Sequence, residues 1–569
     1  MLSINISTFF LISLLLIFTT SEDAENEKNK FPTIFTAILV RNKAHILPYF
    51  LTLFSRLDYP KNRIYVWIRS DHNIDDSEII LKKWANSIQF QYHNVDLKIN
   101  NTEDHYEDEK TSFSWSESRF KWIIKLKQEA LDMARKVWAD YIWFLDADSL
   151  ITNPNALQRL LLKDKVIVAP MLSSTAMYSN FWCGMTSTFY YKRTEEYPEI
   201  LNYKKIGCFA VPMVHSAVII DLRKEASDLL TFESDNARNY LGPTDDIIAF
   251  AVLANMSGIP LYICNDIGYG YTMIPLDENE TIRDDVNNLI DLKLHISVDE
   301  PVLPVDETLV EFVTFPVKHK FGFDEIFVIN LKRRIEKRER MIYCLNELGV
   351  QATFVDAVDG KNLSDYEIEK MGIKLMPNYE DPHYKRPMKK GEIGCFLSHF
   401  NIWKEMIEKN LQTVLILEDD VYFEKSFSKK LQTLIDEMNR ISNSWDLVYV
   451  GRKILDSKKE LFFEGSDLLV YPYYTYWTIG YILKLEGAKK LLRAKPLDNL
   501  IPVDEFLPIM FDQHPREDWK ERFPERNLKA LSVNPLIINP IKYTNDIGYI
   551  SDTEDSSIIK TDSLSKDEL

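Results

Sequence analysis

Two clusters of carboxylates each follow directly on a run of large apolar residues. Asp146 and Asp148 come after YIWFL, and Glu418 and Asp420 come at the end of TVLIL. Alternate residues of an extended segment point to the same side, so each pair can converge on one cation. Divalent ions such as Mg²⁺ and Mn²⁺ prefer oxygen ligands and complete their coordination with phosphate oxygens and water. Each cluster therefore predicts a metal site that holds a nucleotide diphosphate.

A simpler interpretation is that these acids only end a strand and cap the segment that follows. Their position argues against it, because ligands of open α/β sheets bind beyond the carboxyl ends of the strands. Two clusters on equivalent elements of one chain favour function more than one cluster would. The second cluster, Glu418-Asp419-Asp420, departs from a strict alternation of acids. Its middle residue, Asp419, is predicted to contribute to donor binding.

Two further acidic pairs are candidates for a general base. Asp245 and Asp246 lie in PTDDII, and Asp504 and Glu505 lie in PVDEFL. A carboxylate near an acceptor hydroxyl can take its proton during transfer. The alternatives are helix N-capping for the first pair, and metal or acceptor positioning for either pair.

A basic stretch, predicted as a helix over 331–345, follows the strand EIFVIN. Its start can place Arg333 or Arg334 against a diphosphate, helped by the N–H groups of the helix N-terminus. The alternative is a solvated charged face with pairs such as Glu336 and Arg340, four residues apart.

Several domains are expected in a chain of 569 residues. Apolar strands alternate with amphipathic helices, a pattern typical of α/β folds with an open, largely parallel sheet. Four prolines and little periodicity mark a connection between two such domains. The predicted division is a signal peptide over 1–20, a first domain over 31–274, a linker over 275–320, a second domain over 321–545 and a poorly ordered polar tail over 546–569.

The two ends of the chain predict its compartment. The apolar run near the start breaks into polar residues and is short for a spanning helix, which indicates a cleaved signal peptide; a signal anchor is the alternative. The last residues, Lys566, Asp567, Glu568 and Leu569, spell a retention signal for the endoplasmic reticulum. We therefore expect a protein of that lumen, bound by the KDEL receptor and not integral to the membrane.

Other features are consistent with a lumenal protein. Formal net charge is −18, which argues against a nucleic-acid binder with a basic surface. The five cysteines are an odd number, so at least one is free or intermolecular, and buried thiols with one disulfide are the favoured interpretation. N-glycosylation sequons that follow the predicted signal peptide begin at Asn100, Asn255, Asn279 and Asn362.

Longer motifs resemble a known family. The second half contains FVINLKRRIEKRERM, KGEIGCFLSHFNIWKE, LEDDVYFE, WDLVYVGRK and PVDEFLPIMFD, which resemble the glycosyltransferase family 25 domain. The first half contains LDADSLITNP, YSNFWCGMTS, GCFAVPMVHS and IDLRK, which resemble the N-terminal half of the collagen-modifying members of that family. The resemblance runs from about residue 31 to residue 554.

This resemblance implies a fold, a reaction and partners. The fold is two tandem GT-A-like (Rossmann-like) α/β domains, with the family's acidic motifs at Asp146/Asp148 and at 418–420. The reaction is inverting transfer of galactose from UDP-galactose to 5-hydroxylysine of unfolded procollagen chains, with Mn²⁺. A homodimer is one assembly that the resemblance leaves open. The second domain is favoured for the galactosyl step, since it carries the family-defining motifs.

Two alternatives stay open at this point. One relative, the cerebral endothelial cell adhesion molecule, shares the architecture without an established transferase role, so a lumenal binding module is a competing hypothesis. A transferase with another acceptor is the other, because the same domain builds bacterial lipo-oligosaccharides. Retained acidic clusters weigh against the first alternative, since clustered carboxylates repel unless a cation lies between them.

Overall fold

A computed structural model describes residues 31–558 except 101–104, 112, 234–239, 383, 442–444 and 544–550. The chain divides into two compact units. Unit 1 comprises Met1–Lys293 and Val302–Thr314, and unit 2 comprises Leu294–Pro301 and Phe315–Leu569. Each unit has its own hydrophobic core around a central sheet. The prediction of two tandem α/β units is confirmed.

Unit 1 is built on an eight-stranded sheet of order β3-β2-β1-β4-β10-β6-β11-β8. Its strands β1 to β4 are parallel, whereas β10 is antiparallel to both of its neighbours. All five residues of β4 are buried, as expected for a strand covered on both faces. The strands are β1 Ile34–Val40, β2 Ile64–Asp71, β3 Asn94–Asn100, β4 Tyr141–Leu145, β5 Ser149–Leu150, β6 Ile167–Pro170, β7 Phe181–Trp182, β8 Cys208–Val211, β9 Met213–Val214, β10 Ala217–Asp221, β11 Leu261–Cys264 and β12 Tyr271–Thr272.

Helices cover both faces of this sheet. The longest, α3, begins after Ser116, whose side chain accepts a hydrogen bond from the backbone N–H of Arg119. Its buried positions recur at three- and four-residue spacing, which packs one side of the helix on the sheet. The helices are α1 Leu47–Ser55, α2 Ser77–Ile88, α3 Glu117–Lys136, α4 Ala156–Leu161, α5 Glu196–Leu201, α6 Asp246–Met256 and α7 Ile282–Ile296.

The predicted linker over 275–320 contains helix α7, and the boundary between the two units falls within that helix. Most of α7 belongs to unit 1, where its Asp285 is buried and bonded to Lys43. The prolines of this stretch all lie outside the helix. Because proline disfavours helix interiors, composition averaged over the stretch predicts an irregular connection and hides the helix.

Unit 2 is built on a seven-stranded sheet of order β14-β13-β15-β19-β17-β20-β18. Strands β13, β14 and β15 are parallel, whereas β19 is antiparallel to both β15 and β17. This sheet is therefore more mixed than the expected parallel arrangement. The strands are β13 Glu325–Asn330, β14 Thr353–Asp356, β15 Thr413–Glu418, β16 Val421–Phe423, β17 Leu447–Ile454, β18 Leu469–Val470, β19 Thr475–Lys484, β20 Ala530–Val533 and β21 Ile538–Pro540.

The basic helix of unit 2, expected over 331–345, spans Ile335–Glu347, because residues 331–334 form the turn out of β13. The helices of this unit are α8 Ile335–Glu347, α9 Asp365–Lys370, α10 Lys390–Glu408, α11 Phe427–Arg440, α12 Leu485–Arg493, α13 Val503–Met510 and α14 Glu517–Lys520. Residues 551–558, expected to belong to a poorly ordered tail, pack against this unit.

One disulfide links the edge of the unit 1 sheet. Cys208 on β8 and Cys264 on β11 are direct partners of antiparallel strands, and their Cα atoms are 4.0 Å apart. The other three cysteines are free. One pair and three thiols agree with the odd number of cysteines and with the favoured interpretation of a single disulfide.

In the described part of the chain, no helix is both long enough and apolar enough to cross a membrane. The predicted signal peptide and the terminal retention signal lie outside the described residues. The sequon residues Asn100, Asn255, Asn279 and Asn362 are described and exposed. Their exposure leaves each of them accessible for glycosylation.

Candidate functional site

The acidic cluster of unit 1 lies where the sequence predicts it, at the carboxyl end of β4. The backbone N–H of Asp146 donates to the carbonyl oxygen of Ser216 at 2.7 Å, which fixes the turn after the strand. Burial raises the pKa of Asp146 to about 6, and the neighbouring carboxylates of Asp148 and Asp246 add to the shift while Lys127 opposes it. Carboxylates that repel each other in this way attract a divalent cation.

Two lysines outside the predicted motifs balance part of this charge. Lys127 on α3 forms a buried ion pair with Asp246 at 2.5 Å. Lys43 contacts Asp148 at 3.4 Å and Asp285 at 2.9 Å. Both lysines come from segments far from the acidic motif in sequence, so no local pattern could have identified them.

The cluster opens onto a cavity of about 450 Å³. Its walls also carry Arg41, which directly follows β1 and makes a two-point contact with Glu109 at 2.5 and 2.7 Å. Aromatic residues complete the lining: Tyr106, Phe113, Trp115, Tyr178 and Trp182. A cavity of this size with acidic, cationic and aromatic walls suits a nucleotide-sized ligand.

The candidate bases of unit 1 are both engaged in structural contacts. Asp245 caps α6, accepting hydrogen bonds from the backbone N–H groups of Ile247 and Ile248 at 2.9 Å each. Asp246 is buried and holds Lys127. The N-capping alternative therefore describes Asp245, and neither carboxylate is left without a partner.

In unit 2, Glu418 lies at the end of β15, as predicted. Its carboxylate accepts a hydrogen bond from the hydroxyl of Thr478 at 2.6 Å and lies 3.4 Å from Nε2 of His399. Burial raises the pKa of Glu418, but the contacts with His399 and Thr478 outweigh it, so the pKa lies below its usual range. Glu418 is therefore held ionised.

A chain of buried hydrogen bonds fixes the tautomer of His399. The indole N–H of Trp403 can only donate, and it lies 3.0 Å from the hydroxyl oxygen of Tyr481. The same hydroxyl lies 3.0 Å from Nδ1 of His399. If the hydroxyl donates its hydrogen to Nδ1, every buried donor of this chain has an acceptor. Nε2 of His399 then carries the hydrogen and donates toward Glu418.

The same argument bears on a possible transition-metal site. Ligand atoms of Cys395, His399 and Glu418 all lie within 4.8 Å of one another. A histidine binds metal through a ring nitrogen without hydrogen, and the nitrogen that faces this group carries one. Burial also raises the pKa of the Cys395 thiol well above its usual range, which disfavours the thiolate ligand. We therefore assign His399 to the support of Glu418 and not to a transition-metal site.

Asp419 and Asp420 point to different surroundings. Asp419 is buried, accepts a hydrogen bond from the side-chain amide of Asn330 at 2.8 Å and contacts Lys337 at 3.2 Å. Asp420 keeps 41% of its side chain exposed and lies 3.6 Å from Lys337. Burial by the surrounding protein raises the pKa of Asp420 to about 6, helped by Glu418 and Asp419. Glu418 and Asp420 are thus the carboxylates of this cluster that can reach a ligand.

The predicted donor-binding arginines lie beside α8 and are occupied by acidic side chains. Arg333 contacts Asp359 at 2.9 Å and Asp552 at 2.8 Å. Arg334, at the N-cap of α8, contacts Asp552 at 2.7 Å. Lys337 completes this group of cations, and its distance from Asp552 is 3.5 Å.

Asp504 and Glu505 are adjacent in sequence but differ in their partners. Glu505 is buried and bonded to the hydroxyl of Tyr474 and to Nε2 of His514, each at 2.8 Å. No other described residue donates a hydrogen bond to the Asp504 carboxyl or forms an ion pair with it. Burial raises its pKa well above the usual range, with Glu505 and Glu392 adding to the shift. Of the four predicted bases, Asp504 is the one with an uncommitted carboxyl.

Comparison with known proteins identifies the family of both units. A model described as "Glycosyltransferase family 25, N-terminal domain" matches residues 31–293, and one described as "Glycosyltransferase family 25 (LPS biosynthesis protein)" matches residues 323–507. These matches agree with the predicted pair of glycosyltransferase domains.

Similar curated proteins span nearly the whole chain. An Anopheles gambiae protein named "Glycosyltransferase 25 family member" is 49% identical over 548 residues, 95% of this chain and 92% of that protein. "Procollagen galactosyltransferase 2" of Mus musculus is 46% identical over 94% of this chain and 85% of that protein. "Procollagen galactosyltransferase 1-A" of Xenopus laevis is 47% identical over 92% of this chain and 86% of that protein.

Among solved structures, a Pyrobaculum calidifontis mannosyltransferase in complex with GDP-Man and Mn²⁺ is similar at 14% identity. The match covers 49% of this chain and 67% of that chain, with a TM-score of 0.27. This likeness is too slight to carry a conclusion.

Proposed function

This chain belongs to glycosyltransferase family 25, and we propose on that premise that it transfers galactose from UDP-galactose to 5-hydroxylysine of procollagen chains. The observation that carries the proposal is the match to proteins named procollagen galactosyltransferase at 45–47% identity over 92–94% of the chain. An acidic cluster at the carboxyl end of a strand in each unit supports a nucleotide-sugar donor.

We assign the galactosyl step to unit 2. This assignment is supported by a difference between the candidate bases. The carboxylates of Asp245 and Asp246 in unit 1 are bonded to other groups, whereas the carboxyl of Asp504 in unit 2 is not. In an inverting transfer, the acceptor oxygen bonds to the anomeric carbon of galactose as the bond from that carbon to the diphosphate oxygen breaks. Asp504 takes the hydroxyl proton, and the leaving UDP takes the electron pair.

The carboxylates Glu418 and Asp420 of unit 2 fit a divalent cation. Glu418 is held ionised by Thr478 and His399, and burial, with help from the acids beside it, raises the pKa of Asp420 to about 6. Hard oxygen ligands of this kind suit Mn²⁺ or Mg²⁺. When bound, the ion neutralises charge on the departing diphosphate. Asp146 and Asp148 of unit 1 also offer neighbouring carboxylate oxygens, and these fit a second ion.

The assay that tests this function follows UDP release by the purified protein. We expect release from UDP-galactose only when a hydroxylysine peptide and Mn²⁺ are both present, and no release after EDTA is added. A lysine peptide of the same sequence is the control for the acceptor. Binding to the peptide without release would favour a lumenal binding module, and transfer to another glycan or lipid alone would favour a different acceptor.

His399 is expected to act as a positioning residue for Glu418. His399→Gln places an amide N–H near the position of Nε2, whereas His399→Asn does not reach it. We expect His399→Asn to raise the half-saturating Mn²⁺ concentration about 10-fold, as losses of hydrogen-bonding support at metal sites typically do. His399→Gln should stay near the wild-type value. Equal values for the two variants, at equal melting temperatures, would contradict this role.

We also propose that the protein works in the lumen of the endoplasmic reticulum. The proposal rests on the apolar first residues and on the terminal sequence from Lys566 to Leu569. Deleting those four residues should release the protein into the medium of expressing cells, which an immunoblot of medium and lysate would detect. Retrieval by the KDEL receptor is the expected route.

A further inference from the structure

The segment 551–558, which we call the acidic segment, is seated on the N-terminus of α10. The backbone N–H of Lys390 donates to the carbonyl oxygen of Ser557 at 3.0 Å. The backbone N–H of Gly391 donates to the hydroxyl of Ser556 at 2.8 Å. The first N–H groups of a helix have no partner within the helix, so the acidic segment satisfies donors that would otherwise need water.

Gly391 allows the close approach of the acidic segment. A side-chain carbon at this position would lie 2.6 Å from both the Cα and the carbonyl oxygen of Thr553. Neither atom belongs to a flexible side chain, so any larger residue would force the two segments apart. The absence of a side chain at Gly391 is therefore needed for the acidic segment to pack on α10.

The charges of the acidic segment match the surface beneath it. The Asp552 side chain, 14% exposed, contacts Arg333, Arg334 and Lys337 at 2.8, 2.7 and 3.5 Å. The next acid, Glu554, contacts Arg386 and Lys389, and Asp555 contacts Lys361. Each carboxylate of the segment thus has at least one cation as its partner.

The cations around Asp552 occupy the place where α/β folds bind phosphate. Arg334 is the N-cap of α8, the helix that follows strand β13, and Lys337 lies in the first turn. Lys337 also reaches Asp419 of the acidic cluster at 3.2 Å. Helix N-termini and arginine side chains in this position are suited to a diphosphate. The carboxylate of Asp552 is therefore held where an anionic ligand would be held.

We propose that Arg333, Arg334 and Lys337 form a docking surface for the chain's own acidic segment, and that the diphosphate of the donor competes with Asp552 for it. This inference rests on the proposed nucleotide-sugar donor. Competition lowers the apparent affinity for the donor in proportion to the fraction of molecules in which the site is open. The contact is between charges near the surface, so added salt weakens it.

Binding of inorganic pyrophosphate and of UDP, each with Mn²⁺, tests the proposal by calorimetry on the full chain. Asp552→Asn removes the competing charge, and Gly391→Ala blocks the seat without altering any charge. With the surface open in about one tenth of wild-type molecules, both variants would bind about 10-fold more tightly. Asp518→Asn is the charge-matched control, because it removes an exposed carboxylate paired with Arg516, outside both the acidic segment and its docking surface; the affinity of this variant should stay near wild type.

Hydrogen exchange gives an independent measurement in the wild-type protein. Pyrophosphate should speed exchange at the amides of Lys390 and Gly391, since both lose their partners when the acidic segment leaves. Weaker binding of pyrophosphate and UDP by both Asp552→Asn and Gly391→Ala would overturn the proposal. It would show that the acidic segment contributes to the donor site. Unchanged exchange with pyrophosphate bound at α8 would also overturn it. If pyrophosphate displaces the segment but UDP does not, the proposed donor is wrong and the competition stands.

Discussion

Asp504→Asn is expected to slow galactosyl transfer by about 10²–10⁴-fold, the usual contribution of a general base. The change keeps the shape of the side chain but removes its ability to take a proton from the acceptor hydroxyl. UDP binding should stay near the wild-type value, because Asp504 is not among the residues proposed to hold the diphosphate. Single-turnover rates and UDP affinities, measured on the same preparation, would separate these two effects.

The pH dependence provides a second measurement for this prediction. The pKa of Asp504 is raised well above its usual range, so the carboxyl is protonated at low pH and cannot act as a base. We expect the wild-type rate to rise with pH through that pKa, and the residual rate of Asp504→Asn to lack this rise. Asp498→Asn, an exposed aspartate close by in sequence, is the control. A normal rate in Asp504→Asn would exclude it as the base.

Asp420→Asn and Asp146→Asn, made separately, should decide which unit performs the transfer. We expect Asp420→Asn to lower the rate by at least about 100-fold, since even indirect support of a metal site is worth 10–100-fold. Asp146→Asn should leave the rate close to wild type. Loss of transfer in Asp146→Asn alone would reverse the assignment, and loss in both would mean that the two units cooperate.

Melting curves of the same variants separate catalysis from folding. The pKa of Asp146 is about 6 in the folded protein, above the usual value, so its ionised form at pH 7 costs stability. Replacing it with a neutral amide should therefore stabilise unit 1, by about 3 kcal/mol at most. This cost is absent below the usual pKa of aspartate, where the carboxyl is protonated in both states. A destabilised Asp146→Asn would show that its charge has a structural role.

The sequence predicted the elements of the site that depend on local pattern. Asp146 and Glu418 follow apolar runs long enough to be buried strands, and the edge of an α/β sheet is where such strands end. The two units follow from the alternation of strands and helices. The antiparallel central strand β10 was not predicted, because strand direction depends on the connection and not on the residues of the strand.

Other parts of the site depend on contacts between distant residues. Asp504 and Glu505 point about 100° apart on one helix, and only packing decides which of them meets Tyr474 and His514. Lys337 and Asp552 are 215 residues apart. A polar stretch near the end of a chain is typical of a tail, so the seat of the acidic segment could not be expected from composition.

Lys337 connects the acidic cluster of unit 2 with the acidic segment. This one ammonium group contacts Asp419, Asp420 and Asp552, so it serves as counter-ion to the acidic cluster and to the acidic segment together. A cation bound at Asp420 replaces Lys337 as the counter-ion of that carboxylate, so Lys337 becomes available to an anion. Conversely, an anion that binds Lys337 leaves Asp420 without its counter-ion, which increases the affinity of Asp420 for a cation. Thermodynamic reciprocity then requires each ligand to raise the affinity for the other by the same factor. The proposed cation and anion are thus coupled through a single side chain, even without a change of fold.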